Sequence, residues 1–165
     1  NASTGLNKTT GKNATDPSMA VLSTKLYLAW SETNADNRTQ IRVKSYDGSN
    51  WSFVDGGNAT KGINKDYTQN ASYPQLVKVT DNSSSSKLYA VWLEENGSTQ
   101  VRVAEFDGTS SWSFKDGNSF DGLNLNTAKI TGKPSATAYL NQLIVAWSET
   151  NSLGVPQIRV AKSPF

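Results

Sequence analysis

The octet Lys25-Leu26-Tyr27-Leu28-Ala29-Trp30-Ser31-Glu32 occurs again as Lys87-Leu88-Tyr89-Ala90-Val91-Trp92-Leu93-Glu94, and a third time as Gln142-Leu143-Ile144-Val145-Ala146-Trp147-Ser148-Glu149. A chain that carries one supersecondary unit three times buries its apolar faces by stacking the units on one another, so the repeat constrains the fold more than any other feature. Further landmarks recur in the same order. A turn reads Gly5-Leu6-Asn7, Gly62-Ile63-Asn64 and Gly122-Leu123-Asn124. Pro17, Pro74 and Pro134 follow it, 57 and 60 residues apart. After the Trp stretch come Gln40-Ile41-Arg42-Val43, Gln100-Val101-Arg102-Val103 and Gln157-Ile158-Arg159-Val160. Asp47-Gly48 leading to Trp51 and Asp107-Gly108 leading to Trp112 appear twice only.

Each unit reads as four strands. The first opens at the proline (18–22, 75–79, 135–139), the second is the Trp stretch, the third is the Gln-Ile/Val-Arg-Val stretch, and the fourth is 51–54 or 112–115. Proline is tolerated at a strand start, where its missing N–H is not needed by a ladder. Asp-Gly suits a tight hairpin because both residues accept positive φ. No segment shows sustained helical periodicity. Leu26, Leu28 and Trp30 fall on one face of the second strand and Tyr27 and Ala29 on the other. A strand apolar on both faces expects a sheet on each side. The expected fold is therefore all-β, of β-propeller type, with four-stranded antiparallel units stacked around an axis. A sandwich of about 11 strands is the alternative. The whole chain, 1–165, forms one repeat domain, with units at about 17–54, 74–115 and 134–162.

The Ala-Trp-Ser-Glu strand end, the Gln-Ile-Arg-Val strand and the Asp-Gly turn followed by Trp resemble the blades of secreted microbial β-propellers of the sialidase-like, kelch-like and lectin kind. The turn Ser45-Tyr46-Asp47-Gly48-Ser49-Asn50-Trp51 is similar to the sialidase Asp-box, but has its Asp and Gly adjacent where the box separates them by one residue. The resemblance implies a folding element there, not a catalytic one.

Alignment of the units matches Asn1 with Asn58 and Phe165 with Asp47, so the third unit lacks its fourth strand. Three units are also fewer than the four to eight of a typical propeller. Open edges and faces then need cover. The expected sources are the remainder of a larger propeller, a second copy completing a six-bladed ring, or strand donation along a filament.

Hairpin arithmetic sets Trp30 opposite Arg42, Trp92 opposite Arg102 and Trp147 opposite Arg159. It sets Glu32, Glu94 and Glu149 opposite Gln40, Gln100 and Gln157. These nine Trp, Arg and Glu residues are the candidate ligand-binding set: an indole face for a sugar ring, with Arg and Glu for its hydroxyls. The scaffold alternative stacks Arg over Trp and satisfies its donors with Glu or Gln. Strand alternation places the loops 55–73, 116–133 and 1–16 on one face together with 33–39, 95–99 and 150–156. That long-loop face is the candidate binding face.

Asn-X-Ser/Thr sequons occur at Asn1, Asn7, Asn13, Asn37, Asn58, Asn70 and Asn96 on the long-loop face, and at Asn50 and Asn82 on the other. They are candidate glycosylation sites of a cell-surface protein, or simply polar loop composition. Asp55, Asp116 and Asp121 are weak candidates for Ca²⁺, with turn formation the stronger reading. No other cofactor is expected.

Composition closes several routes. With no Cys and no His, thiolate and imidazole chemistry is absent. Net charge is +2 and the basic residues are scattered, which does not fit a nucleic-acid partner. No run of about 18 apolar residues suggests a membrane span. Glu32, Glu94 and Glu149 are dispersed one per unit, whereas a glycosidase needs two carboxylates in one cleft. The expectation is a non-catalytic extracellular or cell-surface module that recognises carbohydrate or a surface protein. The alternative is a structural subunit that assembles through its open edges.

Overall fold

The computed structural model describes residues 5–117, 122–129 and 131–165. It is all-β: three antiparallel sheets of four, four and three strands. The first sheet runs β1 (Ala14–Leu22), β2 (Lys25–Thr33), β3 (Thr39–Tyr46) and β4 (Trp51–Phe53), neighbours in sequence being neighbours in space. The second repeats this order with β5 (Ala71–Thr80), β6 (Ser86–Asn96), β7 (Ser98–Phe106) and β8 (Trp112–Phe114). The third contains β9 (Ser135–Tyr139), β10 (Gln142–Thr150) and β11 (Pro156–Lys162), with β11 at the edge. Among the described residues no helix is long and apolar enough to cross a membrane.

Pro134 opens β9 as expected, but the other two prolines do not open their strands. Pro17 and Pro74 lie inside β1 and β5, at a register shift between Thr15 and Ser18 and between Ser72 and Gln75. The residue before each, Asp16 or Tyr73, has φ near 55°. A bulge leaves a residue out of the ladder, so the missing proline N–H breaks nothing there. The third unit follows the same plan: Thr131 bridges Glu149 as Ala14 pairs Glu32 and Ala71 pairs Glu94, and Ser135 resumes pairing after Pro134. The second-to-third strand loop expected at 95–99 is also shorter than a loop. β6 and β7 pair up to Asn96 and Ser98 around Gly97, whose φ is 70°.

The sheets stack face to face, and the middle one is covered on both sides. Tyr27, Ala29, Ile41 and Val43 of the first sheet pack with Leu88, Ala90, Trp92, Ala104 and Phe106 of the second. The opposite face of the second sheet sends Tyr89, Val91, Val101 and Val103 against Leu143, Val145 and Trp147 of the third. Trp92 at the centre has no exposed surface, a burial that contributes about 3 kcal/mol. Polar links tie adjacent sheets at their first strands: Leu76 N donates to Ser18 Oγ (3.0 Å) and Ala136 N to Gln75 Oε1 (2.8 Å). At the other end, Trp112 Nε1 donates to Val54 O (2.9 Å).

Coverage shows in the burial patterns. The middle strand β6 is buried on both faces from Leu88 to Glu94, whereas β10 alternates strictly between buried and half-buried. One face of the third sheet has no neighbour among the described residues. The complementary face of the first sheet, bearing Leu28 and Trp30, is likewise outermost.

Candidate functional site

The facing pairs expected from the repeat are present: Trp30–Arg42, Trp92–Arg102 and Trp147–Arg159, with Glu32–Gln40, Glu94–Gln100 and Glu149–Gln157 two positions on. The side chains are then used inwards. Each indole donates to the glutamate two residues later on its own strand: Trp30 Nε1 to Glu32 Oε2 (2.8 Å), Trp92 Nε1 to Glu94 Oε2 (3.0 Å), Trp147 Nε1 to Glu149 Oε2 (3.1 Å). Each glutamate also accepts two consecutive backbone N–H groups from the loop that enters its unit. Lys8 N and Thr9 N reach Glu32 at 2.9 and 2.7 Å. Lys65 N and Asp66 N reach Glu94 at 2.8 Å each. Leu125 N and Asn126 N reach Glu149 at 3.0 and 2.9 Å. Three buried carboxylates thus staple three loops. Burial raises the Glu94 carboxyl, opposed by the Trp92 indole and the two loop N–H groups.

The arginines have a partner that the scaffold alternative did not include. Arg42 Nε lies 2.9 Å from Asp55 Oδ2, and Arg102 Nη1 lies 3.4 Å from Asp116 Oδ2, both pairs fully buried. Arg42 Nη1 also donates to Asn58 O at 2.8 Å and to Lys61 O. The stacking partner of Arg42 is Phe53 of β4, 5.0 Å to the ring centroid, rather than Trp30. Asp55 accepts from Val43 N and Gly57 N, so one carboxylate joins the strand edge, the turn and the arginine. Burial raises the Asp55 carboxyl, and Arg42 pulls it back. These contacts commit the Asp55 and Asp116 carboxylates to arginine; among the described residues no group of three or more acidic side chains stands together for a metal. Asp121, the third Ca²⁺ candidate, lies outside the described residues.

Arg159 differs from its two counterparts. It is half-buried where Arg42 and Arg102 are buried, and it borders a hollow of about 260 Å³ with Glu149, Leu125 and Asn126.

A second recurrent device was visible in the sequence only as a turn. Ile63 N donates to Ile41 O (3.0 Å), while Ile41 N donates to Asn64 Oδ1 (2.8 Å). Leu123 and Asn124 clasp Val101 in the same way, at 3.0 and 2.9 Å. The glycine ahead of each clasp lies against the strand. A Cβ on Gly62 would meet Ile41 O at 2.1 Å, and one on Gly122 would meet Val101 O at 2.5 Å. Each loop therefore grips the third strand of one sheet and is stapled to the glutamate of the next.

The long-loop face carries a wide hollow of about 630 Å³, lined by Gln69, Glu95, Gly97, Ser98, Thr99 and Ala128. It lies at the tip of the β6–β7 hairpin, between the loops that enter the second and third units. Glu95 accepts from Asn70 Nδ2 (2.8 Å), and Ser98 Oγ donates to Lys129 O (2.8 Å). In the same loop as Gln69, Tyr67 is about half exposed and carries Lys61 Nζ at 4.0 Å from its ring centroid.

Of the sequon residues on this face, Asn13, Asn37 and Asn58 are exposed. Asn7 and Asn96 are half-buried, Asn7 Nδ2 donating to Lys12 O. Asn70 is held at both ends of its amide, by Glu95 and by Thr39 N. Asn1 lies outside the described residues. On the opposite face Asn50 and Asn82 are exposed. The turns there are closed by aspartates. Asp47 Oδ1 accepts from Ser49 N and Asn50 N at 2.8 Å each, and Asp107 Oδ1 from Thr109, Ser110 and Ser111 N at 2.8, 3.0 and 3.1 Å. The N–H groups of Ser111 and Thr109 hold the Asp107 carboxyl down at about 2.

No family model and no curated protein matches the chain. Among solved structures it is similar to one described as a complex of BT0996 and RGII, at 9% identity and a TM-score of 0.52, over 93% of this chain. It spans about half the length of that structure, 53%. A second, described as a glycoside hydrolase, aligns at 13% identity and a TM-score of 0.45 over 92% of this chain and 37% of its own. The first likeness is one of fold.

Proposed function

We propose that the chain is a run of three β-propeller blades forming a non-catalytic binding module of an extracellular or cell-surface protein, and that it takes carbohydrate on its long-loop face. The observation that carries this reading is the contrast between the repeated strand residues and the tip of the β6–β7 hairpin with its neighbouring loops. Every strand-borne Glu of the repeated set and two of the three Arg are consumed by internal bonds, and the Trp indoles donate inwards as well. The long-loop face also has an open hollow of small-molecule size, edged by the Glu95 carboxylate, the Gln69 amide and the Ser98 and Thr99 hydroxyls, which donate to Lys129 O and Thr131 O and keep acceptor capacity. Such groups suit the hydroxyls of a sugar, and the exposed Tyr67 ring in the adjoining loop suits its apolar face. The same consumption of the glutamates supports the non-catalytic reading. Each is closed in by three N–H donors, one carboxylate per sheet, with no second carboxylate beside it in the described contacts.

The test is a glycan array followed by calorimetric titration of the best ligand. Gln69→Ala and Glu95→Ala are expected to weaken binding by about tenfold each, the loss of one hydrogen-bonding group. Asn50→Ala and Asn82→Ala, on the other face, are expected to leave it unchanged. Binding insensitive to the hollow, or lost with the Asn50 or Asn82 change, would overturn the reading.

A further inference from the structure

Two outer faces of the molecule are built like the halves of its internal contacts. Ile41 and Val43 of β3, and Val101 and Val103 of β7, have no exposed surface because the next sheet covers them. Their counterparts on β11, Ile158 and Val160, are 75% and 64% exposed. The repeat has kept a β-branched apolar pair at a place where, in these three sheets, nothing lies on it.

At the other end of the stack no described residue fills the receiving half. In the first internal contact Ile41 and Val43 pack among Ile63, Ala71, Ala90 and Trp92. The corresponding residues of the first sheet, Leu6, Ala14, Leu28 and Trp30, line an open hollow of about 180 Å³. Among the described residues the clasp has no occupant either. Gly62 and Gly122 are glycines because the neighbouring strand's backbone leaves no room for a Cβ. Gly5 holds the same place in the first unit, yet among the described residues a Cβ there would meet only Asn7 Oδ1 at 3.6 Å. The second half of the loop is nevertheless formed, with Lys8 N and Thr9 N on Glu32. Gly5-Leu6-Asn7 is a clasp held ready on its own sheet, with no strand of the described residues to grip.

We propose that the Trp30 face of the first sheet, with its Gly5-Leu6-Asn7 clasp, is a docking surface for the Ile158–Val160 face of a second copy of the chain, bound head to tail. Leu6 N would donate to Ile158 O of that copy and Ile158 N to Asn7 Oδ1, as Ile63 and Asn64 do on Ile41. Ile158 and Val160 would fill the hollow beside Trp30. The contact is heterologous, since the two surfaces differ. It is less apolar than the internal ones, because Lys44, lying 4.3 Å over the Phe53 ring, stands where the middle sheet has Ala104.

The experiment is sedimentation velocity of the 165-residue chain from about 10 µM to about 1 mM, a range set for a modest interface. The unaltered chain is expected to sediment faster as concentration rises. Gly5→Leu blocks the clasp and Ile158→Arg blocks the apolar face. Both sites are exposed, so unchanged thermal melts will confirm that both variants fold. Each variant alone is expected to stay monomeric. Mixed, they are expected to form a one-to-one complex, because one intact head meets one intact tail. A monomeric unaltered chain throughout overturns the proposal. So does association that survives either substitution, or that the mixture fails to restore.

Discussion

At the scale of the residue, Glu94 shows how the repeat is held. Its carboxylate accepts from the Trp92 indole and from the N–H groups of Lys65 and Asp66. Glu94→Ala leaves three donors without an acceptor in a buried place, a loss of about 3 kcal/mol or more. Urea denaturation is expected to show it as a lower midpoint at unchanged slope, whereas Glu95→Ala, at the exposed hairpin tip, is expected to move the midpoint little. The turn aspartates act on the acid limb. Asp107 is held at about 2, below the usual value near 3.9, so the unfolded chain takes up its proton first as pH falls. Its contribution is complete above pH about 4 and disappears as pH falls towards about 2. Asp47, Asp66 and Asp81 are lowered in the same direction. Glu94 and Asp55 are raised, so their contribution declines as pH climbs above the ordinary carboxylate range, a separate window. Melting temperatures from pH 2 to 5 are expected to fall less steeply for Asp107→Asn, which keeps the turn's acceptor oxygen and cannot titrate. An identical acid limb would contradict this assignment.

At the scale of the element, strand register is legible in the sequence and the loop contacts are not. Period-2 alternation and three aligned copies set Trp30 against Arg42 without any structure, because one slipped residue would turn every apolar side chain outward. The bulge at Pro17 and Pro74 is not legible, since proline alone does not say whether a strand starts or kinks. The Arg42–Asp55 and Arg102–Asp116 pairs do carry a signal. An aspartate follows each arginine by 13 or 14 residues, beyond the Asp-Gly hairpin that folds it back. The clasp reads as a recurring Gly-Leu/Ile-Asn turn, but its work on the preceding sheet is a contact between units that spacing does not reveal. The covered and open faces of equivalent strands yield a direct comparison. Val103→Thr places a hydroxyl in the packed contact between sheets and is expected to cost about 2 kcal/mol. Val160→Thr makes the same chemical change on an open face and is expected to shift the urea midpoint within error.

At the scale of the whole molecule, the residues repeated in every unit hold the sheets and loops together, and the proposed recognition falls to what varies between units. Trp30, Trp92 and Trp147 are the sharpest case. They have the chemistry of sugar platforms, and the structure turns all three indole N–H groups onto buried glutamates. The most direct measurement is hydrogen exchange of the tryptophan indoles in the ¹⁵N-labelled protein, followed with and without a bound glycan. Slow exchange is expected at Trp30, Trp92 and Trp147 in the free protein, with no displacement of their resonances on binding. Rapid exchange at these three indoles, or resonances that move with saturating glycan, would contradict the division between scaffold and recognition.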